Sequence, residues 1–199
     1  MSYTLYINDQ LDSFDMESAL PKLSPQRLEQ ANRFRNESSK RACVVAYLLL
    51  AEGLQKQYGI TEPPFFVYGE HGKPSLRDYP HIHFNISHCR QAVICVIGDS
   101  PVGCDVESIS RYKESLVKYT MNEEEQNAIR NSESPEVEFT RLWTRKEAAV
   151  KLSGRGLQTD MKTILNGSMR FDTTICKEKG YVYSAISQEM TTFAAEQNK

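Results

Sequence analysis

Within "VGCDVES", Val102 to Ser108, an aspartate and a glutamate stand two residues apart in a run otherwise suited to a strand. Side chains alternate across a strand, so Asp105 and Glu107 share a face about 7 Å apart while Val106 points the other way. Two anions on one face repel unless a cation sits between them. One reading is an exposed strand end with a solvated acidic face. The other is a divalent-ion site, in which a few carboxylates act with substrate phosphates and water.

Three further stretches bear on that choice. In "LWTRKEAAVKL", Trp143, Glu147 and Lys151 recur at four-residue steps, which stacks them along one helix face at a rise of about 6 Å per step. Glu147 and Lys151 alone make the commonest of solvated helix pairs. The chain's only tryptophan one turn earlier makes that face a packed one, where Glu147 could be a third metal ligand or a general base and Lys151 could meet a phosphate. The loop "SGRGL" follows, with Gly154 and Gly156 allowing a tight exit or a close approach of backbone to ligand.

In "HIHFNISHCR", His81, His83 and Cys89 raise a zinc reading, but no fourth ligand stands at zinc-like spacing. Ser87 and His88, where the strand runs out, suit phosphate contact or a hydrogen-bonded structural role. As a hydrolase nucleophile Ser87 lacks the G-x-S-x-G elbow. In "GEHGKPSL", Gly72 and Pro74 bracket Lys73 in a turn that is either a hairpin connection or a backbone surface for a flat ligand.

The elements that must position these residues follow from pattern. "TLYI" alternates as a strand, and Ser24 with Pro25 starts a helical region that stops at Gly59 and breaks near "RNESS". "PFFVY", "HIHFNIS", "QAVICVIG" and "VGCDVES" read as strands separated by turn residues. Helical texture returns from Tyr112 to Leu152 with an interruption at "NSESP", and "MRFDTTIC", "YVYSAIS" and "TTFAAEQ" read as closing strands. Helices then strands, twice over, predict an α+β fold of two similarly ordered halves, 1–100 and 101–199, the second bearing the acidic pair and the Glu147 helix.

Composition is that of an ordinary folded domain, with 40% hydrophobic and 25% charged residues in 199. The net charge of -2 conceals an asymmetry: Lys22 to Arg41 holds six basic against two acidic residues, Asp105 to Glu138 nine acidic against four basic. The basic run is short and lacks regularly spaced aromatics, so nucleic acid is not an expected partner. The five cysteines, in apolar runs with no C-x-x-C pair, predict a reduced cytoplasmic protein. "MSYTLYIND" has neither the basic region nor the apolar core of a signal peptide, and "ACVVAYLLLA" is too short to span a bilayer, so no membrane is expected.

Taken in order, "HGKPSL", "FNISHC", "VGCDVES" and "LWTRKEAAVKLSGRGL" resemble the motifs of the 4'-phosphopantetheinyl transferases, and most closely the long single-chain class that primes surfactin-type synthetases. The resemblance spans residues from about 20 to 160. It implies transfer of the phosphopantetheine arm of coenzyme A to a serine of an acyl or peptidyl carrier protein, by a monomer whose α+β halves are related by a pseudo-twofold axis around a coenzyme A cleft. It also implies that Asp105, Glu107 and Glu147 bind Mg²⁺, with Mn²⁺ an alternative, and that Glu147 and Lys151 are catalytic. Ser87 and His88 match phosphate contacts, Gly72, Lys73 and Pro74 the adenine-binding turn, and Arg27 and Arg41 the 3'-phosphate clamp. The Arg41 match needs a one-residue gap, which makes Lys40 a substitute, and Gln30 stands where relatives often carry lysine. Glu123 matches a family glutamate, and Cys104 replaces an aliphatic residue, facing away from the acidic pair. Two other functions use the same residues: a noncatalytic coenzyme A or nucleotide-binding module, and a metal-dependent hydrolase of the coenzyme A pyrophosphate.

Overall fold

A computed structural model of the chain describes residues 3–154, 160–165 and 168–189. Strands β1 (Tyr3–Asn8), β4 (His83–His88) and β5 (Val93–Gly98) form an antiparallel sheet in the order β1-β5-β4. Across it lies α3 (Glu37–Tyr58), whose start is capped by Asn36 and whose end is Gly59 in the left-handed region at φ 68°. Gly53 brings this helix close to the sheet, since a Cβ there would stand 2.3 Å from Ile97 Cδ1. The preceding helix α2 (Pro25–Asn32) begins at the Ser24 cap, and the break between α2 and α3 falls at "RNESS" as the sequence predicts. A short helix α1 (Met16–Ala19), capped by Asp15, precedes them. Strands β2 (Phe66–Tyr68) and β3 (Pro74–Leu76) form a separate hairpin whose turn holds Gly72 and Lys73.

The second sheet is antiparallel in the order β6-β8-β7, from β6 (Val102–Ser108), β7 (Asp172–Cys176) and β8 (Tyr181–Ser187). Helices α4 (Glu114–Thr120), α5 (Glu123–Arg130) and α6 (Pro135–Ser153) lie between β6 and β7 in the chain. α6 crosses this sheet at very short range, because a Cβ on Gly103 of β6 would stand 2.1 Å from the Ala148 carbonyl oxygen. The strand expected at "TTFAAEQ" lies outside the described residues, as does Gly156.

Period-two alternation explains how the sheets meet. Val93, Cys95 and Ile97 of β5 pack in the core against α3, whereas Ala92, Ile94 and Val96 join a second core with Val102, Cys104 and Val106 of β6 and Tyr181 and Ala185 of β8. The faces left over on β6 are Gly103, Asp105 and Glu107, turned toward α6. That is the structural reason for the "GCDVE" pattern: small and apolar residues on one face, a glycine and two acids on the other. The fold is thus mixed helix and strand, as predicted.

Candidate functional site: an acidic cavity beneath α6

Asp105 and Lys151 come from the two elements that Gly103 brings together, and the Lys151 ammonium lies 2.7 Å from Asp105 Oδ1. Ser87, from the end of β4, donates its Oγ hydrogen to the same oxygen at 2.7 Å and accepts from Lys151 Nζ at 2.9 Å. The three side chains close a triangle of charge-assisted contacts. The join between β4 and β6 sets this geometry. Asn85, two residues before Ser87 and on its face of β4, accepts the Cys104 N–H through Oδ1 at 2.9 Å.

Glu107 is held differently. Its Oε1 accepts the Ser108 N–H at 2.9 Å and its Oε2 accepts from Arg111 Nη1 at 2.8 Å. Arg111 stacks over Trp143, its guanidinium carbon 4.9 Å from the ring centre. Glu147, one turn beyond Trp143 and one before Lys151, is half-buried, and no hydrogen bond or ion pair reaches its carboxylate among the described residues. Burial, then the neighbouring Asp105 charge, pushes the Glu147 carboxyl above the usual carboxylate range, with Lys151 and Arg111 pulling the other way. Burial likewise raises Glu107, opposed by the Ser108 N–H and Arg111. Burial depresses the Lys151 ammonium, but Asp105, Cys104 and Glu147 together outweigh it, so the net shift is upward and the group stays charged.

Asp105, Glu107, Glu147, Lys151, Ser87, His88 and Arg111 all line one cavity of about 300 Å³. A second cavity of about 230 Å³ shares Ile86 and Lys151 with it and is floored by Gly72, Lys73 and Pro74. A third, of about 530 Å³, shares His88 and carries Arg41, Arg90, Ser38 and Ser39. The row runs from an apolar pocket, through an acidic one, to a basic one. That sequence of environments suits a ligand with a flat ring, a charged middle and a further anionic group.

Three oxygen-donor carboxylates facing one cavity form a donor set that suits a hard dication. Among the described residues, however, no group of three or more His, Cys, Asp or Glu is arranged to hold a metal ion. Two of the three carboxylates hold cations of the chain instead: Asp105 is engaged by Lys151, and Glu107 by Arg111. The same finding leaves the zinc reading of His81, His83 and Cys89 without a cluster.

A family model described as the 4'-phosphopantetheinyl transferase superfamily matches residues 101–186, the stretch from β6 through β8 that carries the acids and Lys151. The curated 4'-phosphopantetheinyl transferase Sfp of Bacillus subtilis is 28% identical over 158 residues, covering 78% of this chain and 70% of the relative. The chain is similar to this superfamily over residues 101–186, and to its Sfp-type members over most of its length. The transferase psf-1 of Bacillus pumilus is 30% identical across 71% of this chain and 62% of its own length, and gsp of Aneurinibacillus migulanus is 34% identical across 65% and 57%.

This similarity makes the remaining motif positions informative. Arg27, expected at the 3'-phosphate, donates to the Cys43 carbonyl at 2.7 and 3.2 Å and to Gln30 Oε1 at 2.9 Å, and lies over the rings of Tyr47 and Phe66. It ties α2 to α3, with the departing residue Gln30 as its partner. Arg41 lines the basic cavity, and its Nε is buried without a hydrogen-bond partner among the described residues. Lys73 turns away from its own hairpin to donate to the carbonyls of Lys151 at 2.7 Å, Leu152 at 3.0 Å and Val102 at 3.4 Å. It caps the end of α6, where carbonyls otherwise lack partners. Gly72 makes this turn at φ 78°. Glu123 sits exposed in the first turn of α5, away from the cavity, whereas Glu125 is buried, closes a capping box with Asn122 and pairs with the fully buried Lys146 at 2.7 Å.

Sequence reasoning missed Arg111, Asn85 and the Glu125–Lys146 pair. "NEEE" contains the capping-box spacing, and a lone amide in the apolar run "FNI" marks a buried polar joint, so both left a trace. Arg111 left none, since its approach to Glu107 depends on the 3₁₀ turn Ile109–Arg111 that follows β6.

Proposed function

We propose that this protein transfers the 4'-phosphopantetheine arm of coenzyme A to a serine hydroxyl of an apo acyl or peptidyl carrier protein, releasing adenosine 3',5'-bisphosphate. The observation that carries this reading is the convergence of Asp105, Glu107, Glu147, Lys151 and Ser87 on one cavity in a chain similar to this superfamily. In this reading Glu147, raised toward neutrality and free of hydrogen-bond partners among the described residues, takes the serine proton. The serine oxygen bonds to the β-phosphorus as the bond from that phosphorus to the bridging oxygen breaks. Lys151 steadies the negative charge gathering on the departing side, while Ser87 and His88 orient the diphosphate. A magnesium or manganese ion held by Asp105, Glu107 and Glu147 would neutralise charge on the diphosphate oxygens. The turn at Gly72, Lys73 and Pro74 receives the adenine and the Arg41 cavity the 3'-phosphate. Among the described residues, a three-stranded sheet and one long helix fall in 1–100, beside the β2-β3 hairpin, and another such sheet and long helix fall in 101–199, which supports the reading of similar halves around a coenzyme A cleft.

Incubation with apo carrier proteins of fatty-acid, polyketide and peptide synthetases, coenzyme A and Mg²⁺, read by intact mass, tests the activity. The expected result is a phosphopantetheine adduct on at least one carrier, with bisphosphate release dependent on the carrier. No adduct on any of them overturns the reading. Release without a carrier would replace it with pyrophosphate hydrolysis.

A further inference from the structure

Arg111 lies outside every motif of the superfamily resemblance, yet its guanidinium reaches into the acidic cavity. Two contacts fix it there: the 2.8 Å bond from Nη1 to Glu107 Oε2, and the stack on Trp143 at 4.9 Å. The turn that carries it is pinned by the Ile109 N–H donating to the Gly180 carbonyl at 2.9 Å. A guanidinium has five donors in a planar fork, and among the described residues Arg111 uses one in a hydrogen bond. Its side chain is 46% exposed, and that of Glu107 17%.

We propose that Arg111 is an exchangeable counter-cation: it neutralises Glu107 in the empty site, yields that carboxylate to the divalent ion, and then binds the diphosphate of the incoming ligand. The proposal rests on the transferase reading. Glu107 has one oxygen committed to the Ser108 N–H and the other to Arg111, so an ion ligated by Glu107 competes with the guanidinium. The pair is therefore opened by movement of the side chain. Displaced from Glu107 but still stacked on Trp143, it keeps its fork in the cavity, where phosphate oxygens can accept two parallel bonds. The ion alone must break a pair with nothing in return. The diphosphate supplies the replacement partner. Metal and coenzyme A therefore bind cooperatively, each raising the affinity of the other by the same factor.

The test measures binding. Mn²⁺ affinity is read by electron paramagnetic resonance without coenzyme A, and coenzyme A affinity by calorimetry with Mn²⁺ present, for wild type, Arg111→Ala and Arg111→Lys. Removing the competitor should tighten Mn²⁺ binding to Arg111→Ala by about fivefold, the scale of a partly exposed ion pair. The same change should weaken coenzyme A by about tenfold, the scale of a lost charged hydrogen bond. Arg111→Lys, which keeps the charge but not the fork, should bind Mn²⁺ as wild type does and coenzyme A less tightly; it carries the test alone should the alanine variant not fold. Mn²⁺ bound no tighter by Arg111→Ala, or coenzyme A bound equally by wild type and both variants, overturns the proposal. This crossover with no carrier modified would sink the transferase reading and leave the exchange standing, while modification without the crossover does the reverse.

Discussion

Lys151 and Glu147 sit one helical turn apart yet meet opposite surroundings, and that contrast assigns their work. Lys151 is held by Asp105 and Ser87, so its charge is fixed in place. The Glu147 carboxylate has no such partner among the described residues and is pushed toward its neutral form. Glu147→Gln and Lys151→Ala should each lower turnover by about 10²-fold or more, measured as the rate of adduct formation on a carrier found competent with wild type. Near-wild-type rates in both would remove them from the chemistry. Lys146, the neighbour of Glu147, belongs to stability: fully buried, it pairs with Glu125 and donates to the Met161 carbonyl at 2.6 Å. Lys146→Met leaves Glu125 as a buried unpaired anion and should cost about 3 to 5 kcal/mol in urea unfolding. At this scale the acids and Lys151 were legible because two and four are the repeats of a strand face and a helix face. Arg111 and Lys73 were not, because each finds its partner through space, and nothing in the spacing of "HGKPSL" says that its lysine caps α6.

Among the elements, β6 and α6 carry the site, and their separation is set by the absence of a side chain at Gly103. The three nearest neighbours of a Cβ there are backbone atoms of α6, the Ala148 oxygen at 2.1 Å, the Leu152 nitrogen at 2.6 Å and the Leu152 Cα at 3.0 Å, so none can rotate aside. Gly103→Ala should therefore lift the whole helix, costing about 1 to 3 kcal/mol and parting Lys151 from Asp105. Unfolding midpoint and turnover should fall together, whereas wild-type stability with the alanine would show that α6 gives way cheaply. Helix and strand boundaries in this region were readable: "NSESP" ends α5 and starts α6, and Gly154 closes α6 in the left-handed region at φ 68°. The short α1 was not foreseen, since four residues give no periodicity; only its Asp15 cap marks it.

For the whole molecule, the decisive arrangement is the meeting of the two sheets. Asn85 joins β4 to β6, Lys73 joins the β2-β3 hairpin to α6, and Lys179 and Tyr181 reach Asp9 at the end of β1. No local pattern predicts such long-range contacts, although the two-part order of helices and strands was legible. Asn85→Leu strands the Cys104 N–H without a partner and should cost about 1 to 3 kcal/mol, read from the urea midpoint. Heating should give a single calorimetric transition with equal van't Hoff and calorimetric enthalpies, and two resolved transitions would contradict the shared core. β5 feeds alternate residues to two cores at once, so neither sheet has a finished inner surface of its own. A nick at the Asp99–Ser100 bond should accordingly leave two fragments that co-elute from a sizing column, each shielding the other's oily side, and that precipitate when forced apart.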